Sequence, residues 1–215
     1  ETIKPALEAV GTKGNGHIAG LYVMQTKKGN YFFADTTVNI SPDAETLKET
    51  TLLTAEAVKK FGIEPVIAMV SYSNFGSLRE GSPRRVAEAV KLLHKNHPEL
   101  IVDGEVQANF ALNSELMETK FPFSKLSGKK VNTLIFPNLS SGNIAYKMML
   151  ELGDAEAIGP ILLGMNKPVH ILQLGSSVRE IVNMVTIAVV DAQSKAETGI
   201  IAKSKSLFNR IRKSN

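Results

Sequence analysis

The segment TLIFPNLSSGNIAYK, residues 133–147, has the clearest secondary-structure pattern in the chain. Its first four residues are mostly apolar β-formers, and Pro137 ends the run because proline cannot donate to a β-ladder. Ser140 or Ser141 can then cap a helix whose apolar residues recur at helical spacing, and Gly153 is suited to end it. The stretch therefore predicts a buried strand, a polar turn and a helix, whose free amides at the helix start favour an anion.

The same order of strand, polar turn and helix recurs before this stretch. Residues 65–70 and 100–102 predict further strands, each followed by a polar turn and a helix. The helix after the second of these strands is predicted from about residue 109 to 117. The polar turns are residues 71–77, 103–107 and 138–143. Such repeats indicate a three-layer αβα fold of the α/β class with a mostly parallel sheet, whose ligands usually bind beyond the carboxyl ends of the strands.

The chain opens and closes with elements of a different kind. Residues 17–25 and 31–35 predict a hairpin at one edge of the sheet, and Ser41 predicts the start of the following helix. Near the other end, residues 169–172 predict a short strand. Residues 177–180 then have the spacing of a capping box for a helix to about residue 193. That last helix is apolar all round, so we expect another subunit or a further portion of the polypeptide to cover it.

The composition is that of an ordinary globular protein. Hydrophobic residues make up 43% of the 215 residues and charged residues 21%. No apolar run approaches the length that spans a bilayer and no signal-peptide pattern opens the chain, so we expect no membrane partner. The absence of cysteine excludes disulfides and thiolate chemistry and agrees with the cytoplasmic location that we expect.

The net charge of +4 is concentrated in the last thirteen residues. They carry five basic side chains and no acidic one, which leaves 20 basic against 21 acidic side chains elsewhere. The five are Lys203, Lys205, Arg210, Arg212 and Lys213. Such a tail is typical of a solvated terminus or a partner-facing arm, and with Phe208 as its aromatic residue it predicts no nucleic-acid binding.

The turn at residues 71–77 is a candidate for ligand binding. Its hydroxyls and amides, with Arg79 close by in sequence, suit a phosphate or a phosphopantetheine group. The residues concerned are Ser71, Ser73, Asn74, Gly76 and Ser77. A capped structural turn has the same composition, and spacing alone favours that interpretation.

Two other pairs have a chemical and a structural interpretation. Asp103 and Glu105 are spaced for acid/base catalysis or, equally, for structural hydrogen bonding. His94 and His97 lie three residues apart on a predicted helix, and without a further ligand in reach they indicate a solvated helix end rather than a metal site. No Ser-His-Asp signature and no nucleotide-binding glycine fingerprint occurs in the sequence.

Several of these motifs together resemble the phosphotransacetylase (phosphate acetyl/butyryltransferase) family. They are residues 71–77, 103–107, 135–147 and 159–168, in the family's order and at its separations, within a resemblance that covers residues 1–195. More narrowly, residues 168–172 and 177–193 resemble the C-terminal phosphotransacetylase-like domain of large bacterial hybrid malic enzymes. The resemblance implies an architecture like that of the isocitrate and isopropylmalate dehydrogenases.

The resemblance also implies a domain organisation. Residues 1–166 would form the second lobe of the phosphotransacetylase-like domain, residues 167–195 would return to the first lobe, and residues 196–215 would be a basic tail. The rest of the first lobe would be missing, which agrees with the apolar helix that lacks a cover. Family members dimerise through the second lobe, so we expect a homodimer or a higher homo-oligomer.

The chain departs from the family at the catalytic positions. Active members carry a Ser-Arg pair that serves the acyl phosphate and coenzyme A, and the matching residues here are Gln173 and Leu174. A leucine cannot stabilise a phosphate or a developing oxyanion. The family's catalytic acid corresponds to Glu180, whose presence the capping box also explains. Two positions that are acidic in the family are asparagines in this chain, Asn109 and Asn138. The resemblance therefore implies binding without turnover.

The resemblance predicts a regulatory and oligomerisation domain of a hybrid malic enzyme, with no catalytic residue, metal or cofactor of its own. It implies that the parent enzyme converts malate to pyruvate and CO2 with NADP and Mg or Mn in a separate N-terminal domain, and that acetyl-CoA or CoA binds here as allosteric effector. The residues expected to bind the effector are Ser71, Ser73, Asn74, Gly76, Ser77, Arg79, Asn138, Gly142, Asn143 and Ser176. Two alternatives stay open: an active acetyltransferase between coenzyme A and phosphate, and a purely structural dimerisation domain.

Overall fold

The computed structural model of the chain describes residues 4–78, 80–172 and 175–193. Its strands are β1 (Ala19–Thr26), β2 (Gly29–Ala34), β3 (Val66–Val70), β4 (Ile101–Val106), β5 (Thr133–Ile135) and β6 (Glu156–Leu163). Its helices are α1 (Lys4–Val10), α2 (Ala44–Lys60), α3 (Gly81–Asn96), α4 (Ala108–Ala111), α5 (Ser114–Lys120), α6 (Leu139–Leu152) and α7 (residues 178–193).

One six-stranded sheet forms the middle layer, in the order β4-β3-β5-β2-β1-β6. The pairs β2–β5, β5–β3 and β3–β4 are parallel, whereas β1 is antiparallel to both of its neighbours. Every strand except β1 therefore runs in one direction, and the carboxyl ends of these strands form one edge of the sheet, the carboxyl edge. The predicted αβα fold with a mostly parallel sheet is confirmed.

Helices cover both faces of the sheet. One apolar core contains side chains of α2, α3 and α7 packed on residues such as Phe32 and Ile67. The other contains side chains of α4, α5, α6 and the loop 121–132 packed on residues such as Phe33. Phe32 and Phe33 belong to different cores because successive side chains of a strand point to opposite faces. The two layers hold the loops at the carboxyl edge in place.

The segment 133–147 forms β5 and α6 as predicted, but with a different cap. The N-cap of α6 is Asn138, whose side chain accepts a hydrogen bond from the Ser141 amide at 2.9 Å. The prediction of a serine cap is wrong because Asn138 has an extended backbone and its amide oxygen already lies at the first turn. Gly153 ends the helix as predicted.

The β1–β2 hairpin is confirmed, but it does not lie at the edge of the sheet. Strand β6, which was not predicted, pairs with β1 along its length and is the edge strand itself. Gly159 and Pro160 obscured its pattern, and an edge strand tolerates the missing donor of proline. The strand predicted at residues 169–172 does not form: these residues are irregular, and the His170 side chain accepts a hydrogen bond from the Leu162 amide instead.

Three other boundaries differ from the prediction. Strand β4 continues to Val106, because the acidic side chains in its second half are hydrogen-bonded inside the fold. The helix predicted from about residue 109 to 117 is two short helices, since Asn113 caps a new one by accepting from the Leu116 amide. Helix α2 begins after Asp43, not at Ser41, because the Asp43 carboxylate accepts from the Thr46 amide.

Helix α7 leaves most of its apolar side chains exposed. Met184 is buried in the core, whereas the exposed apolar side chains are Val178, Ile181, Val182, Val185, Val189 and Val190. The cover expected for this helix, and the lobe boundaries at residues 166 and 195, stay predictions. Arg79, Gln173, Leu174 and the tail 196–215 lie outside the described residues. Within the described part of the chain, no helix is long and apolar enough to cross a membrane.

Candidate functional site

The carboxyl edge brings together the loops that follow β2, β3 and β5. These loops are neighbours because β5 lies between β2 and β3 in the sheet. The predicted effector-binding residues 71–77 and 138–143 follow β3 and β5, respectively. Ligands of mostly parallel sheets usually bind at this edge, so it is the first candidate site.

Asp35 organises the loop after β2, a role that no sequence pattern predicted. Its buried carboxylate accepts hydrogen bonds from the amides of Gly20 at 3.0 Å, Thr37 at 2.8 Å, Val38 at 3.1 Å and Asn39 at 2.8 Å, and from the Asn39 side chain. Five donors on one charged acceptor hold the loop and the start of β1 together. The available signal was an acid directly after an apolar strand, followed by polar residues that suit an Asx turn.

The start of α6 is fastened to this loop. The Leu139 amide donates to the Asn39 carbonyl at 3.1 Å, and the Asn143 side chain donates to the Thr36 carbonyl at 3.3 Å. Gly142 packs so closely that a Cβ would collide with the backbone oxygen of Asp35. The predicted residues Gly142 and Asn143 therefore join two loops of the carboxyl edge.

Two serine hydroxyls of the 71–77 turn, those of Ser73 and Ser77, bond to each other, and Ser73 also bonds to a buried acid. The fully buried Ser73 hydroxyl lies 2.9 Å from Ser77 Oγ, donates to Glu105 at 3.1 Å and accepts from the Leu78 amide at 3.0 Å. Glu105 is 2% exposed and also accepts from the Gly76 amide at 2.6 Å. The Ser73 hydroxyl is thus already hydrogen-bonded inside the turn. A ligand that binds to the turn in this conformation would contact its outer surface.

The other predicted residues of the turn differ in their contacts. The Asn74 side chain accepts from the Gln107 amide at 2.8 Å, which ties the turn to the end of β4. The Ser71 hydroxyl is buried, and it has no hydrogen-bond partner among the described residues. Because a buried hydroxyl normally has a partner, the Ser71 hydroxyl keeps its full capacity to bond to a ligand.

A cavity of about 660 Å³ lies beside the turn, between α3 and the edge strand β4. Its lining includes Phe75 and Gly76 from the turn, Arg84 and Lys91 from α3, and Glu105 from β4. This volume lies within the range of small-molecule sites. The cavity therefore extends the candidate site from the turn along α3, and we call it the α3–β4 cavity.

Asp103 and the two histidines have structural contacts. Asp103 accepts from the Ser124 hydroxyl at 2.8 Å and from the Lys125 amide at 2.9 Å. The Nε2 atom of His94 donates to the Val102 carbonyl at 2.8 Å. Within the described ranges, no group of three His, Cys, Asp or Glu residues is placed to hold a metal ion. These contacts favour the structural interpretation of both pairs.

Ser176 and Glu180 lie at the opposite edge of the sheet. Arg179 pairs with Glu156 at 2.7 Å, which places the start of α7 at the amino end of β6. A second cavity of about 480 Å³ lies there, and Ser176 and Glu180 are part of its lining. The structure therefore does not bring Ser176 together with the predicted residues of the carboxyl edge.

Two ionisable groups of this second cavity, Glu180 and Tyr22, have shifted pKa values. The Ser177 amide donates to the Glu180 carboxylate at 2.6 Å and lowers the pKa of Glu180. Burial raises the pKa of Tyr22, whose ring stacks on Tyr146 at 4.2 Å, and the Tyr146 hydroxyl and the Glu180 charge raise it further. At neutral pH the glutamate is therefore ionised and the tyrosine protonated.

A mostly parallel αβα sheet with its polar loops at the carboxyl edge defines an α/β domain, and the solved structures that it resembles are phosphotransacetylases. A phosphotransacetylase from Streptococcus pyogenes superimposes with a TM-score of 0.84 at 39% identity over 90% of this chain. One from Staphylococcus aureus gives 0.83 at 35% identity over 89%. The chain belongs to the phosphate acetyl/butaryl transferase family, whose sequence profile matches residues 1–189.

The relatives of the chain are of two kinds. An NADP-dependent malic enzyme of Escherichia coli is 42% identical over 187 residues, which are 86% of this chain and 24% of that enzyme. A phosphate acetyltransferase of Bacillus subtilis is 39% identical over 193 residues, which are 89% of this chain and 59% of that enzyme. The chain thus spans about a quarter of the Escherichia coli malic enzyme and about three fifths of the Bacillus subtilis acetyltransferase.

Proposed function

We propose that this chain is a non-catalytic regulatory and oligomerisation domain of an NADP-dependent malic enzyme, and that it binds acetyl-CoA as an effector. The observation that carries the proposal is the bonding of Glu180, the residue that matches the family's catalytic acid. A general base works best when its pKa lies near the working pH. Glu180 instead has a lowered pKa, because its carboxylate accepts from the Ser177 amide in the helix cap.

The matching positions of the family's Ser-Arg pair support the same conclusion. Gln173 and Leu174 stand there. Leucine has no donor for an acyl phosphate, and glutamine has no charge to place on it. A chain with a capped Glu180 and no cation at position 174 is suited to bind a ligand without reacting with it.

The chemistry of the parent enzyme belongs, in this proposal, to a separate N-terminal domain. The matched malic enzymes are about four times as long as the segment they share with this chain, which leaves room for such a domain. That domain would bind malate, NADP and Mg or Mn in the cytoplasm. The present chain would receive acetyl-CoA or CoA and hold subunits together, with no cofactor of its own.

The carboxyl edge is where we expect the effector to bind. At this edge lie the Ser71 hydroxyl, which has no hydrogen-bond partner among the described residues, and the exposed Gly76 and Ser77 of the turn. The N-terminus of α6, capped by Asn138, lies there as well. The α3–β4 cavity adjoins this turn and is large enough for part of a CoA molecule.

The alternative function is a phosphate acetyltransferase that exchanges acetyl between CoA and phosphate. Its support is the 39% identity with the Bacillus subtilis phosphate acetyltransferase, of which this chain covers 59%.

Calorimetric titration with acetyl-CoA, combined with a phosphate-dependent acetyl-transfer assay on the same sample, separates these functions. The proposal expects saturable binding and no acetyl phosphate formation. Turnover that Glu180→Gln abolishes would establish the alternative. Absence of binding, with the fold intact by circular dichroism, would favour a purely structural domain.

A further inference from the structure

Four phenylalanines form a cluster beside the α3–β4 cavity. The ring of Phe75 lies 4.9 Å from that of Phe121 and 5.1 Å from that of Phe123, and Phe121 also contacts Phe110 at 5.1 Å. The rings meet at angles of 53° to 77°, close to the edge-to-face arrangement that aromatic pairs favour. Phe123 nevertheless stays 70% exposed. We call Phe75, Phe110, Phe121 and Phe123 the aromatic cluster.

The backbone holds Phe75 in a conformation that bulky residues rarely adopt. Its φ is +44°, in the left-handed region. Two hydrogen bonds to Glu105 hold it there: the Phe75 amide donates to the Glu105 carbonyl at 2.7 Å, and the Gly76 amide to the carboxylate at 2.6 Å. A strained residue that its surroundings fix in place is a common feature of binding sites, because the site is then formed before the ligand arrives.

Phe75 connects the aromatic cluster with the α3–β4 cavity, because it belongs to both. The exposed side chains of Arg84 and Lys91 stand on the α3 side of the cavity, where Arg84 also pairs with Glu88 at 2.9 Å. Glu105 stands on the β4 side, and both of its side-chain hydrogen bonds end on Oε1. The Oε2 atom thus keeps its capacity to accept from a ligand.

We propose that the aromatic cluster and the α3–β4 cavity bind the adenine nucleotide part of acetyl-CoA. The proposal rests on the proposed function and names the place of its effector. A purine ring stacks on an exposed aromatic side chain such as Phe123. The exocyclic amino group of adenine can donate a hydrogen bond to the acceptor Glu105. The phosphates of the nucleotide suit the cations Arg84 and Lys91.

The test compares Phe123→Ala and Phe123→Leu with the wild type by calorimetric titration. The probes are acetyl-CoA, 3′-phospho-ADP, which is the nucleotide alone, and acetylpantetheine, which lacks it. We expect both variants to weaken acetyl-CoA and 3′-phospho-ADP about tenfold, because leucine keeps apolar volume but has no π-face, and to leave acetylpantetheine unchanged. Ile40→Ala, an exposed apolar side chain on the loop after β2, is the matched control and should leave the binding of 3′-phospho-ADP unchanged.

A fluorescence experiment reports stacking directly. The chain has no tryptophan, so Phe123→Trp introduces a single indole. Stacked adenine should quench it on addition of ADP, whereas IDP, which lacks the exocyclic amino donor, should quench only at higher concentration. Equal quenching by ADP and IDP would overturn the role of Glu105.

The outcomes separate this proposal from the proposed function. Acetyl-CoA binding that Phe123→Ala leaves unchanged would overturn the adenine site and leave the effector function intact. Phe123-dependent binding of 3′-phospho-ADP without binding of acetyl-CoA would support the site and overturn the effector. Binding of none of the probes by the wild type would overturn both. A change only in oligomeric state on Phe123→Ala would overturn the adenine site in favour of a protein contact.

Discussion

At the scale of single residues, Asp35 has the densest set of contacts at the carboxyl edge. We predict that Asp35→Asn lowers the free energy of unfolding by about 2 kcal/mol or more, because the new amide group faces N–H donors and leaves some of them without an acceptor. Urea unfolding followed by circular dichroism measures the change.

The matched control for Asp35→Asn is Asp154→Asn. Asp154 forms an exposed ion pair with Lys27, and both side chains are more than four fifths exposed. We expect its loss to change the unfolding free energy by less than about 0.5 kcal/mol. Equal effects of the two substitutions would contradict the organising role of Asp35.

Gly142 decides how closely α6 approaches the end of β2, at the scale of the element. Alanine for glycine inside a helix usually stabilises by up to about 1 kcal/mol. We predict the opposite sign for Gly142→Ala, because the new Cβ would collide with the Asp35 backbone oxygen. Thermal unfolding measures this, with the exposed Ser140→Ala as control. A raised melting temperature for Gly142→Ala would show that the two backbones can separate without loss.

Helix α7 is attached to α2 through Lys60 and Asp191, which lie 2.7 Å apart. Burial lowers the pKa of Lys60, but the hydrogen bond and charge of Asp191, together with the charge of Glu56, outweigh it and raise the pKa above its ordinary 10.5. A lysine whose pKa is higher in the folded state stabilises fully below about pH 10.5, and the stabilisation disappears as the pH rises through the folded pKa.

We therefore predict that Lys60→Met destabilises by about 1 kcal/mol at neutral pH and that the difference from the wild type shrinks above about pH 10.5. Unfolding in urea at a series of pH values measures it. Lys27→Met removes a fully solvated pair and serves as the control. A difference that does not vary with pH would mean that packing of the lysine stem, rather than its charge, joins the helices.

At the scale of the whole molecule, exposed apolar faces agree with the proposed oligomerisation. Ile144, Met148 and Leu152 recur every four residues on α6 and are more than half exposed. Such a stripe on one face of a helix suits a second copy of the chain. We predict a homodimer that Met148→Asp weakens at least tenfold, because dimerisation would bury the new carboxylate.

Light scattering at several protein concentrations measures the dimer. The control is Lys129→Asp, which also makes the net charge more negative but lies on the exposed loop before β5. If the dimer tolerates Met148→Asp, the interface would instead be the exposed face of α7. A monomer at all concentrations would contradict the oligomerisation role.

Local patterns predicted most of the sheet. The apolar runs at residues 65–70 and 133–136 were sufficient for β3 and β5, because a strand covered on both faces contains few polar residues. Strand β6 was missed because Gly159 and Pro160 break its local pattern, and its pairing with β1 depends on residues more than a hundred positions away. The predicted serine turn was found where expected, but the partner of Ser73 is Glu105, from another strand.

Sequence patterns were sufficient to predict the class of fold, the hairpin, the capping box of α7 and the family, because each depends on neighbouring residues or on motifs in a fixed order. Which polar residues meet depends instead on the tertiary structure. It joined Asp35 to α6, buried Ser73 on Glu105, placed Ser176 at the edge opposite the 71–77 turn, and gathered phenylalanines from two loops and α4 beside one cavity. The physical reason is that strand order, which no local periodicity encodes, sets the distances between loops.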